Sequence, residues 1–261
     1  MSNNVQSTFL PCYLETNTSN PSNFAKYSLS GGASPFSLCI LFAANLNGTP
    51  DAPELSFNEK LQPIMDSGII SELQGKGLKV SLSILPNHQT AGLSTLTPTG
   101  VTSFANQLIR AVKQYGLDGL DFDDEYTAPG APEQPASFVI LLQQIRNALP
   151  TTLLTMYAIG PIMQYLSYDG VDAGSLLDYA WNPYYSTYNA PLIPGATNGQ
   201  LAAAAVNITS TPTSMASEFA ERTLSDGYGV YMTYNLVNGD QSEFLSSVTN
   251  VLYGQMTEYN E

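Results

Sequence analysis

Eight apolar, strand-like runs recur along the chain, at residues 8–15, 36–43, 78–85, 117–124, 152–158, 178–184, 203–208 and 229–234. They come about once every 33 residues, the repeat length of a strand plus helix in a (β/α)8 barrel. Several runs are apolar at consecutive positions rather than alternating, which fits parallel strands covered on both faces. A chain of 261 residues accommodates one such barrel or two small domains. No sequence repeat and no linker divides it, so one domain over residues 1–261 is expected. The expected fold is thus α/β, a single (β/α)8 TIM barrel.

Helical stretches fill several of the gaps. Ser56 and Glu59 have capping-box spacing and predict a helix reaching about residue 74, where Gly75 and Gly77 follow. From Val101, the residues Phe104, Leu108, Val112 and Tyr115 fall at helical spacing, and Gly116 supplies the stop. Residues 135–149 form another amphipathic run, and Asp240 with Glu243 predicts a capping box for a last helix ending near Tyr253. Residues 159–177 and 186–202 are irregular, so the helices after strands five and six are expected to be reduced or missing.

Charge narrows the function. The net charge is −14 with only 8 Lys plus Arg, so nucleic acid is excluded as a partner by repulsion from its phosphates. No apolar run is long enough to span a membrane. The polar content lies in Ser, Thr, Asn and 16 Tyr, which suits neutral hydroxylated ligands such as sugars. Cys12 and Cys39 are too few for a disulfide framework and sit in apolar runs, so both are expected as buried free thiols. The first residues show no signal-peptide pattern, while three Asn-x-Ser/Thr triplets begin at Asn17, Asn47 and Asn207. Secretion after removal of a leader is the expectation, with the cytoplasm as the alternative, and a monomer is expected.

The fourth run carries the chemistry. Residues 117–125 read Leu-Asp-Gly-Leu-Asp-Phe-Asp-Asp-Glu. Alternation along a strand puts Asp121, Asp123 and Glu125 on one face and Leu120 and Phe122 on the other. Carboxyls this close cannot all ionise easily, so one proton is shared and at least one pKa is raised. That is how a Glu stays protonated as a general acid near neutral pH. Barrel active sites lie at the carboxyl ends of the strands, which is where Glu125 falls. Glycoside hydrolysis ordinarily needs two opposed carboxyls, whereas Asp123 and Glu125 approach from one side. Either another strand supplies the nucleophile, or the substrate's own 2-acetamido group does. A divalent-metal site or a solvated acidic turn is the competing reading, but EF-hand spacing is absent and the acids lie in an apolar strand. No metal and no cofactor is expected.

With that motif in view, the chain resembles the family-18 glycoside hydrolases. It is most similar to their bacterial endo-β-N-acetylglucosaminidase branch, of the endoglycosidase H and endoglycosidase F1 type. The likeness rests on residues 115–126, on residues 41–47 (Leu-Phe-Ala-Ala-Asn-Leu-Asn), on residues 179–185 (Tyr-Ala-Trp-Asn-Pro-Tyr-Tyr) and on residues 227–236. It implies hydrolysis of the β-1,4 bond in the diacetylchitobiose core of N-linked, high-mannose glycans, carried on glycoproteins or free. It implies that Glu125 protonates the leaving oxygen and then activates water, that Asp123 orients the acetamido group, and that Asp121 sets the charge of Asp123. Tyr184 would bond the acetamido carbonyl, with Asn182 beside it on the same strand face. Tyr157, Tyr234, Asn45 and Asn87 complete the expected sugar-binding set. Asp118, out of phase with the three acids, is read as structural, and His88 as a loop hydrogen-bonder. Trp181 has the opposite parity to Asn182 and Tyr184, so packing against the helix layer is expected for it. Where family chitinases show Ser-x-Gly-Gly, Ser83 is followed by Ile-Leu-Pro-Asn-His, and only one Trp is present. Both departures favour a compact endoglycosidase site. A small chitinase and a catalytically silent sugar-binding barrel are the alternatives.

Overall fold

The computed structural model of the protein describes residues 8–261; the opening segment, on which the signal-peptide reading rests, lies outside them. The barrel strands are β1 (Pro11–Glu15), β2 (Leu38–Thr49), β3 (Val80–Pro86), β4 (Gly119–Phe122), β5 (Leu153–Tyr157) and β6 (Tyr179–Trp181). β7 comes in two pieces, Leu201–Ala202 and Ala204–Asn207, and β8 is Met232–Tyr234. Each strand pairs in parallel with the next, and β8 pairs with β1. Only Ala203 separates the two pieces of β7; the first pairs with β6 and the second with β8, so the ring closes. Every run expected from the sequence overlaps one of these strands.

The helices are α1 (Leu61–Asp66), α2 (Ile69–Gly75), α3 (Pro98–Tyr115), α4 (Ser137–Ala148), α5 (Thr213–Ser225) and α6 (Ser242–Tyr253). Between β5 and β6 stand the 3-10 turns Pro161–Gln164 and Ala173–Ser175, and between β6 and β7 the turn Asn198–Gln200. Among the described residues no helix is long and apolar enough to cross a membrane. α3 starts three residues before Val101, capped by Thr97, and ends on Gly116 at φ +65°, a left-handed turn that glycine adopts without strain.

Both expected capping boxes fail, for local reasons. β2 runs longer than expected and folds back antiparallel on Ala52–Ser56, so Ser56 is a strand residue paired with Asn45. Asn58 Oδ1 instead accepts the N–H groups of Lys60 and Leu61, and the helix breaks at Gly68 (φ +81°). At α6, Asp240 accepts from the Ser242 N–H two residues on, at 2.8 Å, and the reciprocal bond of a capping box is not made.

Alternation sorts side chains into two layers. Leu14, Leu82, Leu120, Phe122 and Leu154 point outward, into one buried cluster with Phe104, Leu108, Leu141 and Ile145 of α3 and α4. Inside the ring a smaller cluster gathers Tyr13, Ile40, Tyr157, Trp181 and Met232. Trp181 therefore corrects the sequence reading: it is fully buried inside the barrel, not against the helices, and its indole N–H donates to Tyr13 Oη at 2.8 Å. β6 is three residues long and its inward parity is set by Tyr179 and Trp181. Cys12 and Cys39 sit side by side in register on β1 and β2, buried and free.

Candidate active site

At the carboxyl ends of the strands a cavity of about 370 Å³ opens. Its walls include Asp123, Glu125 and Tyr126 after β4, Tyr13 and Glu15 of β1, Tyr157 of β5, Tyr184 and Tyr185 after β6, and Tyr234 of β8. The strand ends at Phe122, but the Asp123 N–H still donates to Ile84 O at 3.1 Å, so the backbone stays extended one residue further. Glu125 stands beyond it, half-buried at the mouth.

Asp121 lies one layer below and is fully buried. Its register neighbours are Ser83 on β3 and Thr155 on β5, and both hydroxyls donate to it, at 2.9 and 2.8 Å. Tyr13 adds a third bond at 2.7 Å, completing a Trp181–Tyr13–Asp121 relay beneath the cavity. Burial pushes the Asp121 carboxyl up to about 6, while the three hydroxyls oppose it. Asp123 is pushed further, to about 9, first by burial, then by Glu125 and Asp121 beside it. Its Oδ1 is buried with no hydrogen-bond partner. Glu125 is raised by burial, with the Tyr126 hydroxyl pulling it back down. Near neutral pH Asp123 thus keeps its proton beside Glu125.

Asp124, of opposite parity, faces outward and was not singled out in the sequence. It accepts from the N–H groups of Leu93 and Ile162, at 3.0 and 3.1 Å, tying two loops to the end of β4. Gly160 packs on its carbonyl; a Cβ there would lie 2.0 Å from the oxygen, so only glycine fits. Asp118 accepts from the Val80 N–H and from Gln74, each at 2.8 Å, at the base of the strand.

The expected sugar-binding residues divide. Tyr157, Tyr184 and Tyr234 line the cavity, Tyr184 at the rim with 60% of its surface exposed. Asn182, Asn45 and Asn87 do not line it. Asn182 does not share a strand face with Tyr184: it is buried, its amide donates to Ala203 O and Thr187 Oγ1, and its oxygen accepts from the Tyr184 N–H at 3.0 Å. Asn45 is half-buried in the β2 hairpin, and Asn87 is exposed and donates to Asn47 Oδ1. His88 is exposed at the rim, its ring 5.1 Å from that of Tyr126. Sequence reasoning passed over Tyr13, Glu15, Tyr126 and Tyr185. The first two share the inward parity of β1, a signal the sequence does hold; Tyr185 is placed only by the loop after β6. Its ring stacks on Tyr234 at 4.6 Å and 16°.

A cavity of this size, floored by aromatics and carrying two coupled carboxyls on one wall, suits acid-base chemistry on a small polar ring. The relatives agree. The family profile of glycosyl hydrolases family 18 matches residues 11–245. An endo-beta-N-acetylglucosaminidase of Flavobacterium sp. (strain SK1022) is 46% identical over 95% of this chain and 81% of its own length. Endo-beta-N-acetylglucosaminidase F1 of Elizabethkingia meningoseptica is 30% identical over 95% of this chain and 79% of its own. Among solved structures, EndoBT-3987 of Bacteroides thetaiotamicron with Man5GlcNAc product superposes with a TM-score of 0.86 at 24% identity, over 99% of this chain and 64% of that one. A chitinase of Rhizomucor miehei superposes at 0.70 with 17% identity, over 93% of this chain and 99% of that one. The chain belongs to family 18 of the glycosyl hydrolases.

Proposed function

We propose that the protein is an endo-β-N-acetylglucosaminidase, cutting the β-1,4 bond between the two core N-acetylglucosamines of N-linked glycans, with high-mannose chains as its substrates. The whole chain acts as one catalytic barrel, and secretion brings it to the glycoproteins it trims. One observation carries the reading: a buried carboxylate oxygen, Asp123 Oδ1, on the cavity wall beside Glu125, has no protein donor. Buried acceptors are almost always satisfied, and an acetamido N–H supplies the missing partner.

The chemistry follows from the proton on this pair of carboxyls. Burial and the neighbouring acids keep it on Asp123. An acetamido N–H delivered to Oδ1, and positive charge growing on that group, both favour ionised Asp123, leaving the proton on Glu125. The acetamido carbonyl oxygen attacks C1 as the C1–O4 bond breaks. Glu125 gives its proton to the departing oxygen, and Asp123 faces the oxazolinium so formed. A water then attacks C1 and passes a proton back to Glu125, the acetamido group reopens, and two inversions leave the anomeric configuration retained. Asp121 supports Asp123 from below, held by its three hydroxyls. Among the cavity tyrosines, Tyr185 suits the acetamido carbonyl better than the exposed rim residue Tyr184, since it is half-buried, lines the same cavity as Asp123 and lies close enough for that carboxyl to raise its pKa. The lone Trp lies beneath the floor, where it offers no stacking track to an extended chitin chain.

Incubation with a high-mannose glycoprotein and with chitin oligomers tests this. A mass loss leaving one N-acetylglucosamine on the protein is expected. Glu125→Gln should lower turnover by about 10²–10⁴-fold while glycan binding persists. Near-normal turnover would remove Glu125 from the mechanism, and release from chitin oligomers alone would make the protein a chitinase.

A further inference from the structure

We propose that Glu15 is a positioning residue for this reaction, holding Tyr234, and through it Tyr185, where the acetamido group cyclises. The inference rests on the function proposed above. Glu15 ends β1 with the inward parity of Tyr13 and lines the same cavity as Asp123 and Glu125. The Tyr234 hydroxyl donates to Glu15 Oε1. Tyr234 sits in register with Tyr13 across β8 and β1, so the two partners belong to adjoining strands and need no loop to meet. The Tyr234 ring then stacks on Tyr185, at 4.6 Å between centroids. Tyr185 in turn packs beside Tyr157, at 6.3 Å, whose hydroxyl donates to Pro183 O at 2.5 Å. A continuous line of contacts therefore runs from Glu15 to the loop residue that shares the cavity with Asp123.

The choice of an acid is the telling part. Glu15 brings a third carboxyl to a cavity already holding Asp123 and Glu125, where a neutral side chain could also accept from the phenol. A charge-assisted bond is the gain: it is shorter and more strongly oriented than a neutral one and takes up the torsional freedom of a phenol at an open mouth. Without it Tyr234 loses its anchor, and Tyr185, which lies between the end of β6 and the short antiparallel pairing of Thr187–Tyr188 with β7, loses the surface that fixes its ring.

The test compares Glu15→Ala, Glu15→Gln, Tyr234→Phe and the double variant Glu15→Ala/Tyr234→Phe. Two substrates are used: a high-mannose glycoprotein and a preformed sugar oxazoline, in which the acetamido ring is already closed. Glu15→Ala and Tyr234→Phe should each lower kcat on the glycoprotein by about 10- to 100-fold, the scale of a misplaced reacting group, with KM changed by no more than about twofold. The double variant should be no worse than the poorer single one. Glu15→Gln, whose amide oxygen still accepts from Tyr234 but without the charge, should recover only part of the loss. Hydrolysis of the oxazoline should change little in all four. Losses that fall in KM would mean that Glu15 binds sugar itself; additive losses, or equal losses on the oxazoline, would also overturn the proposal. If Glu15→Ala does not fold, Tyr234→Phe carries the test. Failure of the parent protein to cut the glycoprotein would instead overturn the function on which the inference rests.

Discussion

A carboxyl that donates a proton in one step and recovers it in the next works best with a proton affinity near the ambient pH. At Glu125 two forces set that affinity. Partial burial raises it, and the hydroxyl of its sequence neighbour Tyr126, itself half-exposed at the rim, stabilises the ionised form and lowers it. Tyr126→Phe removes only the second. Glu125 then stays protonated to higher pH, so the alkaline limb of the kcat/KM profile should move upward, while the acid limb, governed by the second proton of the Asp123–Glu125 pair, should move less. Profiles of the parent and variant on one glycan substrate check this. A limb that stays put, or moves down, would mean that the hydroxyl does not act on the acid.

At the scale of elements, the loop after β6 is the least regular part of the mouth, yet it carries Tyr184 and Tyr185. Beside the short pairing of Thr187–Tyr188 with β7, its order comes from Asn182, whose side chain spans three groups: Ala203 between the two pieces of β7, Thr187 in the loop and the Tyr184 N–H. Asn182→Ala removes these bonds from a buried site and should cost about 1–3 kcal/mol in denaturant unfolding, with kcat falling as the tyrosines loosen. A variant as stable and active as the parent would show that the loop holds itself. The sequence placed Asn182 on the sugar face because it extended strand parity past the true end of β6 at Trp181. The same extension sent Trp181 outward. Where strands are longer, parity reads correctly: Asp121 and Asp123 point inward and Leu120 and Phe122 outward, as the acidic segment alone predicts. The strands themselves were legible because continuous apolar runs admit few other fates in a chain of this length. The acidic wall was legible because it lies in nine consecutive residues. The rest of the lining was legible only in part: Tyr157 and Tyr234 were expected there, but Tyr13, Glu15 and Tyr185 come from β1 and the loop after β6, which meet β8 only when the ring closes. The capping pairs failed because a local pattern at Ser56 does not foresee a strand folding back to claim it.

The whole molecule adds a long-range field. A net charge of −14 with 8 basic residues means that any approaching glycoprotein meets a repulsive or attractive potential before the glycan reaches the cavity. The cavity itself is lined mainly by tyrosines and carboxyls, so a neutral glycan feels little of that field beyond contact distance. Encounter should therefore depend on the charge of the carrier protein rather than on the sugar. Raising salt from about 10 to 150 mM shortens the screening length from roughly 30 to 8 Å. Over that range kcat/KM for an acidic high-mannose glycoprotein should rise several-fold, on the order expected for steered encounters. For a basic glycoprotein it should fall, and for the same glycan released from protein it should stay flat. Measuring all three with one enzyme preparation separates a charge effect from any general effect of salt on the barrel, which would move all three curves in one direction. A common direction would mean that the acidic surface serves solubility alone and leaves substrate choice to the mouth of the barrel.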